Sequence, residues 1–192
     1  MINANRFYRT IAAFAVFCLG TSLLSAAQAD SKDVAGSSSG TFERSFNSTN
    51  GGGGWALSST FTGSDNIGGQ FTGRQLMAFN FTLANNVCPT GEEPFTLEPI
   101  SGDYATANTV LSYNKGQVYL LTTEASGCMD FVTGEYVVDT VATITGGTGK
   151  FAAATGEISS AVNGRVLLAP TWYGSKGQFG AFESTHAGSV EY

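Results

Sequence analysis

Apolar and polar residues alternate along most of this chain with a period of two. Phe42, Arg44 and Phe46 alternate with Thr41, Glu43 and Ser45. Trp55, Leu57 and Phe61 alternate with Ala56, Ser58 and Thr60, and Met77, Phe79, Phe81 and Leu83 with Ala78, Asn80 and Thr82. Successive side chains of a strand point to opposite faces, so each run predicts a half-buried β-strand. Residues 109–113, 117–123, 136–145, 157–162, 165–168 and 178–185 fit the same pattern. The breaks have turn chemistry. Residues 51–54 are all glycine, Asn114-Lys115-Gly116 predicts a tight connection, and Asn163-Gly164 predicts a type I′ hairpin because both residues tolerate positive φ. Residues 87–101 hold three of the four prolines and Cys88, and are expected to form a long ordered loop. Residues 30–40 are small and polar, and predict a flexible leader. No amphipathic helical pattern interrupts the strands. The expectation is an all-β, antiparallel β-barrel of eight or nearly eight strands, with a sandwich as the alternative, in one domain over residues 41–192. Closure removes the exposed edges that such a chain must otherwise protect.

The N-terminus breaks this pattern. Arg6 and Arg9 precede an apolar stretch over residues 11–27, and Ala27-Gln28-Ala29 is a small-x-small cleavage site. That order predicts a signal peptide over residues 1–29 and a secreted or periplasmic protein. No later segment is long and apolar enough to span a bilayer as a helix. Loss of the two arginines with the signal takes the formal net charge from −6 to −8. Such an acid-rich, lysine-poor chain is a poor partner for nucleic acid, whose phosphates demand Lys and Arg. Phe17 stands just before Cys18, where a lipoprotein signal needs a small residue, so Cys18 is expected to leave with the signal. Cys88 and Cys128 remain, and in an oxidising compartment they predict one disulfide. Neither has a Cys or His at ligand spacing, and the chain has one histidine, His186.

The segment Ala142-Thr143-Ile144-Thr145-Gly146-Gly147-Thr148-Gly149-Lys150-Phe151-Ala152-Ala153-Ala154-Thr155-Gly156 resembles the I-x-G-G-T-G-x-F-x-x-A-x-G signature of plant dirigent proteins and the allene oxide cyclase-like barrel superfamily, which includes many exported bacterial proteins. The resemblance implies an eight-stranded, calycin- or dirigent-like barrel with an internal apolar cavity. It also implies that Gly146, Gly147, Gly149 and Gly156 shape a turn on which Phe151 plugs the barrel end. The match covers about fifteen residues and carries over a packing element, not an active site.

Other motifs fail on their context. Gly146 to Lys150 lacks the glycine and the Ser/Thr of a phosphate loop, since Ile144 and Phe151 occupy those places. Gly36-Ser37-Ser38-Ser39-Gly40 spells G-x-S-x-G, but lies in the expected leader without the strand and helix of a nucleophile elbow. Alternation puts Ser184 and His186 on one strand face and Glu183 on the other. Asp130, Glu135 and Asp139 cluster near Cys128 without calcium-loop spacing, and predict solvated turns. No catalytic, metal or cofactor site is assigned and no cofactor is expected. Three functions stay open. The first is binding of a small apolar ligand inside the barrel, suggested by the fourteen Phe and seven Tyr of the chain. The second is a cofactor-independent cyclase or isomerase, for which Arg74, Arg165, Glu157 and Glu183 are the charged residues to locate. The third is a structural or adhesive surface protein.

Overall fold

A computed structural model describes residues 31–47, 54–83, 88–89, 91–99, 108–168 and 177–192. Residues 1–29, where a signal peptide is expected, and most of the 51–54 glycine run lie outside the described residues. Nine strands follow in chain order: β1 (Ser31–Asn47), β2 (Gly54–Asp65), β3 (Gly69–Leu83), β4 (Glu93–Pro99), β5 (Asn108–Tyr113), β6 (Gly116–Met129), β7 (Glu135–Gly147), β8 (Thr155–Leu168) and β9 (Gln178–Glu191). A single 3-10 turn, Gly149–Phe151, separates β7 from β8.

Every pairing is antiparallel, and the sheet closes. β2 pairs with β1 and β3, while β9 pairs with β8 and returns to β1 over the register Ser31↔Glu191 to Arg44↔Gln178. β4 and β5 share one place in the ring. β5 pairs with β3 and β6 at one end of the barrel, and β4 pairs with the same two strands at the other. The nine strands therefore make eight staves. Register shifts in β6–β7 and β8–β9 supply the local bends that a closed sheet needs.

Four local expectations are corrected by this topology. Residues 31–40 are not a flexible leader: they are the first half of β1, paired with both β2 and β9. Their small residues reflect tight packing, because a Cβ on Gly36 would run into the Ser64 carbonyl and the His186 ring. The sheet accordingly includes residues 31–40, which the expected boundary left out. Asn163-Gly164 is no hairpin but part of the continuous strand β8. The glycine there makes room for the Tyr136 ring, which lies where its Cβ would be. The loop expected over residues 87–101 contains β4. Pro94 is paired only on the β6 side and Pro99 only on the β3 side, so each has one unpaired side, as prolines in sheets usually do. Asn114-Lys115-Gly116 does join β5 to β6 tightly, with Gly116 at a φ of 143°.

Cys88, just before β4, is bonded to Cys128 on β6 across a Cα–Cα distance of 5.8 Å. The bridge ties the approach to the half-length strand β4 onto its neighbour.

Two apolar clusters fill the ends of the barrel. The upper end, where β1 and β8 start and β9 finishes, holds Val34, Val118, Ile144, Phe151 and Val190. The lower end holds Phe42, Phe95, Met129, Val138 and Val166, with Met77 and Phe79 beside them. The outer face of the staves is mostly Ser, Thr and charged residues, the reverse of the apolar belt of a membrane barrel.

Candidate functional site: the barrel interior

The glycine-rich turn closes the upper end. Gly149 takes a φ of 59°, and Gly146 and Gly156 take 135° and 136°, conformations that side chains with a Cβ rarely adopt. Gly147 is held by crowding, since a Cβ there would meet the Gln117 and Phe151 carbonyls. The turn drops Phe151 into the upper cluster with no exposed surface, between the rings of Tyr113 (5.1 Å) and Tyr192 (5.3 Å). Asp65 locks the same end. It accepts hydrogen bonds from the Tyr113 hydroxyl and from the backbone N–H groups of Ile67 (3.0 Å) and Gly68 (2.8 Å). Burial, then the bond and charge of Asp65, hold the Tyr113 hydroxyl well above its usual range.

Between the two clusters lies a cavity of about 180 Å³. Its wall carries aromatic rings, among them Phe42, Phe61, Phe71, Phe95 and Phe182. A belt of polar side chains interrupts them, one or more from each stave. On β1 and β9, Ser38 faces Ser184 in register and the two hydroxyls lie 2.8 Å apart. His186, two residues on, faces Ser160 of β8, which in turn faces Thr140 of β7. Thr122 continues the belt on β6. On the far side, Thr109 of β5 faces Gln75 of β3, and Gln75 faces Ser59 of β2, whose hydroxyl donates to it at 3.3 Å. Thr122, Thr109 and Ser59 are buried. The interior is thus mainly apolar towards its ends, with a band of polar side chains at the waist.

His186 stands out in this belt. Its Nε2 is buried with no hydrogen-bond partner among the described residues. Burial lowers its pKa, against a smaller opposing pull from Asp65, so the ring is neutral at pH 7. Ser184 shares its inward face and Glu183 points outward, as strand alternation requires.

The lower part of the cavity contains a cation. Arg44 follows the inward phase of β1 with Ser38 and Phe42. Its register partners on the two sides are Leu57 and Gln178, both neutral. Its Nε donates to the side-chain oxygen of Gln178, which is 3% exposed, and its guanidinium lies 5.1 Å from the Trp55 ring centre. Burial pulls its pKa down to about 10, with Tyr136 raising it slightly, so it stays charged at neutral pH. Tyr136 packs edge-on to Phe42 at 5.9 Å, and burial raises its own hydroxyl above the normal range.

The four charged residues considered for the interior, Arg74, Glu157, Arg165 and Glu183, are all exposed on the outer face. Arg44 is the charged side chain that enters instead. The signal was present in its strand, where it shares the phase of Phe42. The acidic cluster near Cys128 is dispersed. The Asp130 carboxylate accepts from the backbone N–H groups of Val132 (2.7 Å) and Thr133 (3.2 Å), which hold its pKa below the usual value. Glu135 and Asp139 point outward from β7. No protein-family model matches the chain, and no curated protein matches it.

Proposed function

We propose that this chain is a secreted barrel of the dirigent- and allene oxide cyclase-like kind that holds one small, mainly apolar molecule inside it. The carrying observation is the internal cavity: about 180 Å³, ring-lined, with a polar belt at its waist. An apolar cavity of ~150 Å³ accepts a benzene ring, whereas drug-sized sites start near ~300 Å³. The expected ligand is therefore a single ring or a body of that size. Phe side chains suit it through edge-to-face contacts, and the hydroxyl belt orients any polar substituent. The polar outer surface and the disulfide support the secreted, soluble part of the reading.

The test is NMR titration of the folded protein, lacking residues 1–29, with 2-phenylethanol. Saturable shifts at Thr122, Thr140 and Ser160 are expected. Absence of any shift for this and other ring-sized alcohols would show that the interior takes no ligand, leaving the structural or adhesive reading.

A second reading, a cofactor-independent isomerase or cyclase, is favoured by one observation. A neutral imidazole whose Nε2 has no hydrogen-bond partner among the described residues stands at the cavity wall, where it could accept a proton from a confined substrate. Binding with no turnover of any ring-sized isomerisable substrate would count against it.

A further inference from the structure

Among the described residues, Arg44 uses one of its donors. A guanidinium carries five N–H groups, and among the described residues its one hydrogen bond runs from Nε to Gln178. No carboxylate of the described residues lies beside it: its register neighbours are neutral, and the groups around it are Gln178, Trp55 and Tyr136. A charge taken out of water without an opposite charge is costly, and buried arginines are normally paired for that reason. Here the cation faces the same cavity that the rings and hydroxyls line.

We propose that the cavity's ligand carries a carboxylate, which pairs with Arg44 while its ring-sized apolar body lies among the Phe side chains. The proposal rests on the ligand-binding reading above and specifies the chemistry of that ligand. With Nε held by Gln178, the two Nη groups remain for an end-on, two-point contact, and a planar carboxylate matches that fork. Gln178 acts as a positioning residue: by fixing Nε it sets the plane of the guanidinium. The Trp55 ring covers the cation from one side and limits its hydration. Together these features give a cation that is oriented before the ligand arrives. A neutral amide of the same shape offers one acceptor oxygen to that fork and no opposite charge, so discrimination by charge should be large.

Calorimetric titration at pH 7 with phenylacetate, phenylacetamide and 2-phenylethanol tests this. The wild-type protein should bind phenylacetate at least tenfold more tightly than the near-isosteric phenylacetamide. In Arg44→Met that preference should vanish. Equal binding of phenylacetate and phenylacetamide by the wild type overturns the proposal, and needs no variant. A preference that persists in Arg44→Met also overturns it. If 2-phenylethanol binds and phenylacetate does not, the carboxylate assignment fails and the cavity reading stands. If none of the three binds, the cavity reading itself fails, and this proposal with it.

Discussion

The two ends of the barrel each place one charged side chain on the inner side, and they treat it differently. At the upper end Asp65 receives three donors: the Tyr113 hydroxyl and two backbone N–H groups of the β2–β3 turn. Phe151, Val118 and Val190 then close over that end with no exposed surface. At the lower end Arg44 has, among the described residues, a single hydrogen bond, to a neutral amide, and the rings of Trp55 and Tyr136 beside it. The upper charge is engaged by its turn, whereas the described residues around the lower one engage only its Nε. On the proposed reading, closure and reception fall to opposite ends of one sheet.

Substitutions can break that contrast. The largest effect is expected at the closed end. Phe151→Ala empties the centre of the upper cluster and should cost about 3–5 kcal/mol, read from the urea midpoint, with any ligand affinity of the folded fraction little changed. Next comes the bridge beside the lower end. Replacing Cys88 and Cys128 by serine frees a loop with a sequence separation of 40, and should cost about 2–4 kcal/mol by the same measurement. Gly36→Ala forces a methyl group between the Ser64 carbonyl and His186, and should cost about 1–3 kcal/mol. It should also shift the His186 ring resonances.

The pH dependence is a smaller effect, and its sign follows from His186. Its folded pKa lies below the unfolded value of about 6.5, so above that pH both states are neutral and stability is unaffected. As pH falls through about 6.5 towards the folded pKa, the unfolded chain takes up the proton first and stability declines. His186→Gln should flatten that part of the profile and leave the separate loss in the carboxylate range, where Asp130 protonates, unchanged. The smallest effect is expected at Arg44. Exchanging a half-buried cation that no carboxylate of the described residues pairs for an apolar chain of similar length should leave ligand-free stability unchanged or raise it by about 1 kcal/mol. A large loss in Arg44→Met would mean that the lower end uses its charge structurally, and the contrast between the ends would disappear.

Much of the barrel was legible along the chain, because strand alternation is a local property. Met77, Phe79 and Phe81 announce their inward face with no knowledge of the partner strand. The Gly146 to Phe151 segment declares a turn with an apolar anchor for similarly local reasons. The errors fell where a neighbour decided. Ser and Gly over residues 36–40 look like a linker until the His186 ring and the Ser64 carbonyl occupy the space beside them. Asn163-Gly164 looks like a turn until the Tyr136 ring lies across it. Pro94 and Pro99 look like loop residues until each is seen to be paired on one side only.

The polar belt marks the boundary most clearly. By itself the sequence determined that the strands are half-buried, that Arg44 shares a phase with Phe42, and that Ser184 and His186 share a face. Each follows from the two-residue repeat of a single strand. In isolation, Ser59, Thr109 and Thr140 are single polar interruptions of apolar runs that could lie at any height. Only the registers of the closed sheet bring them level with Ser160 and Ser184, and only closure removes them from water. Register is set by pairings between residues far apart in the chain, so the layer they form, and the cavity it encircles, belong to the tertiary structure alone.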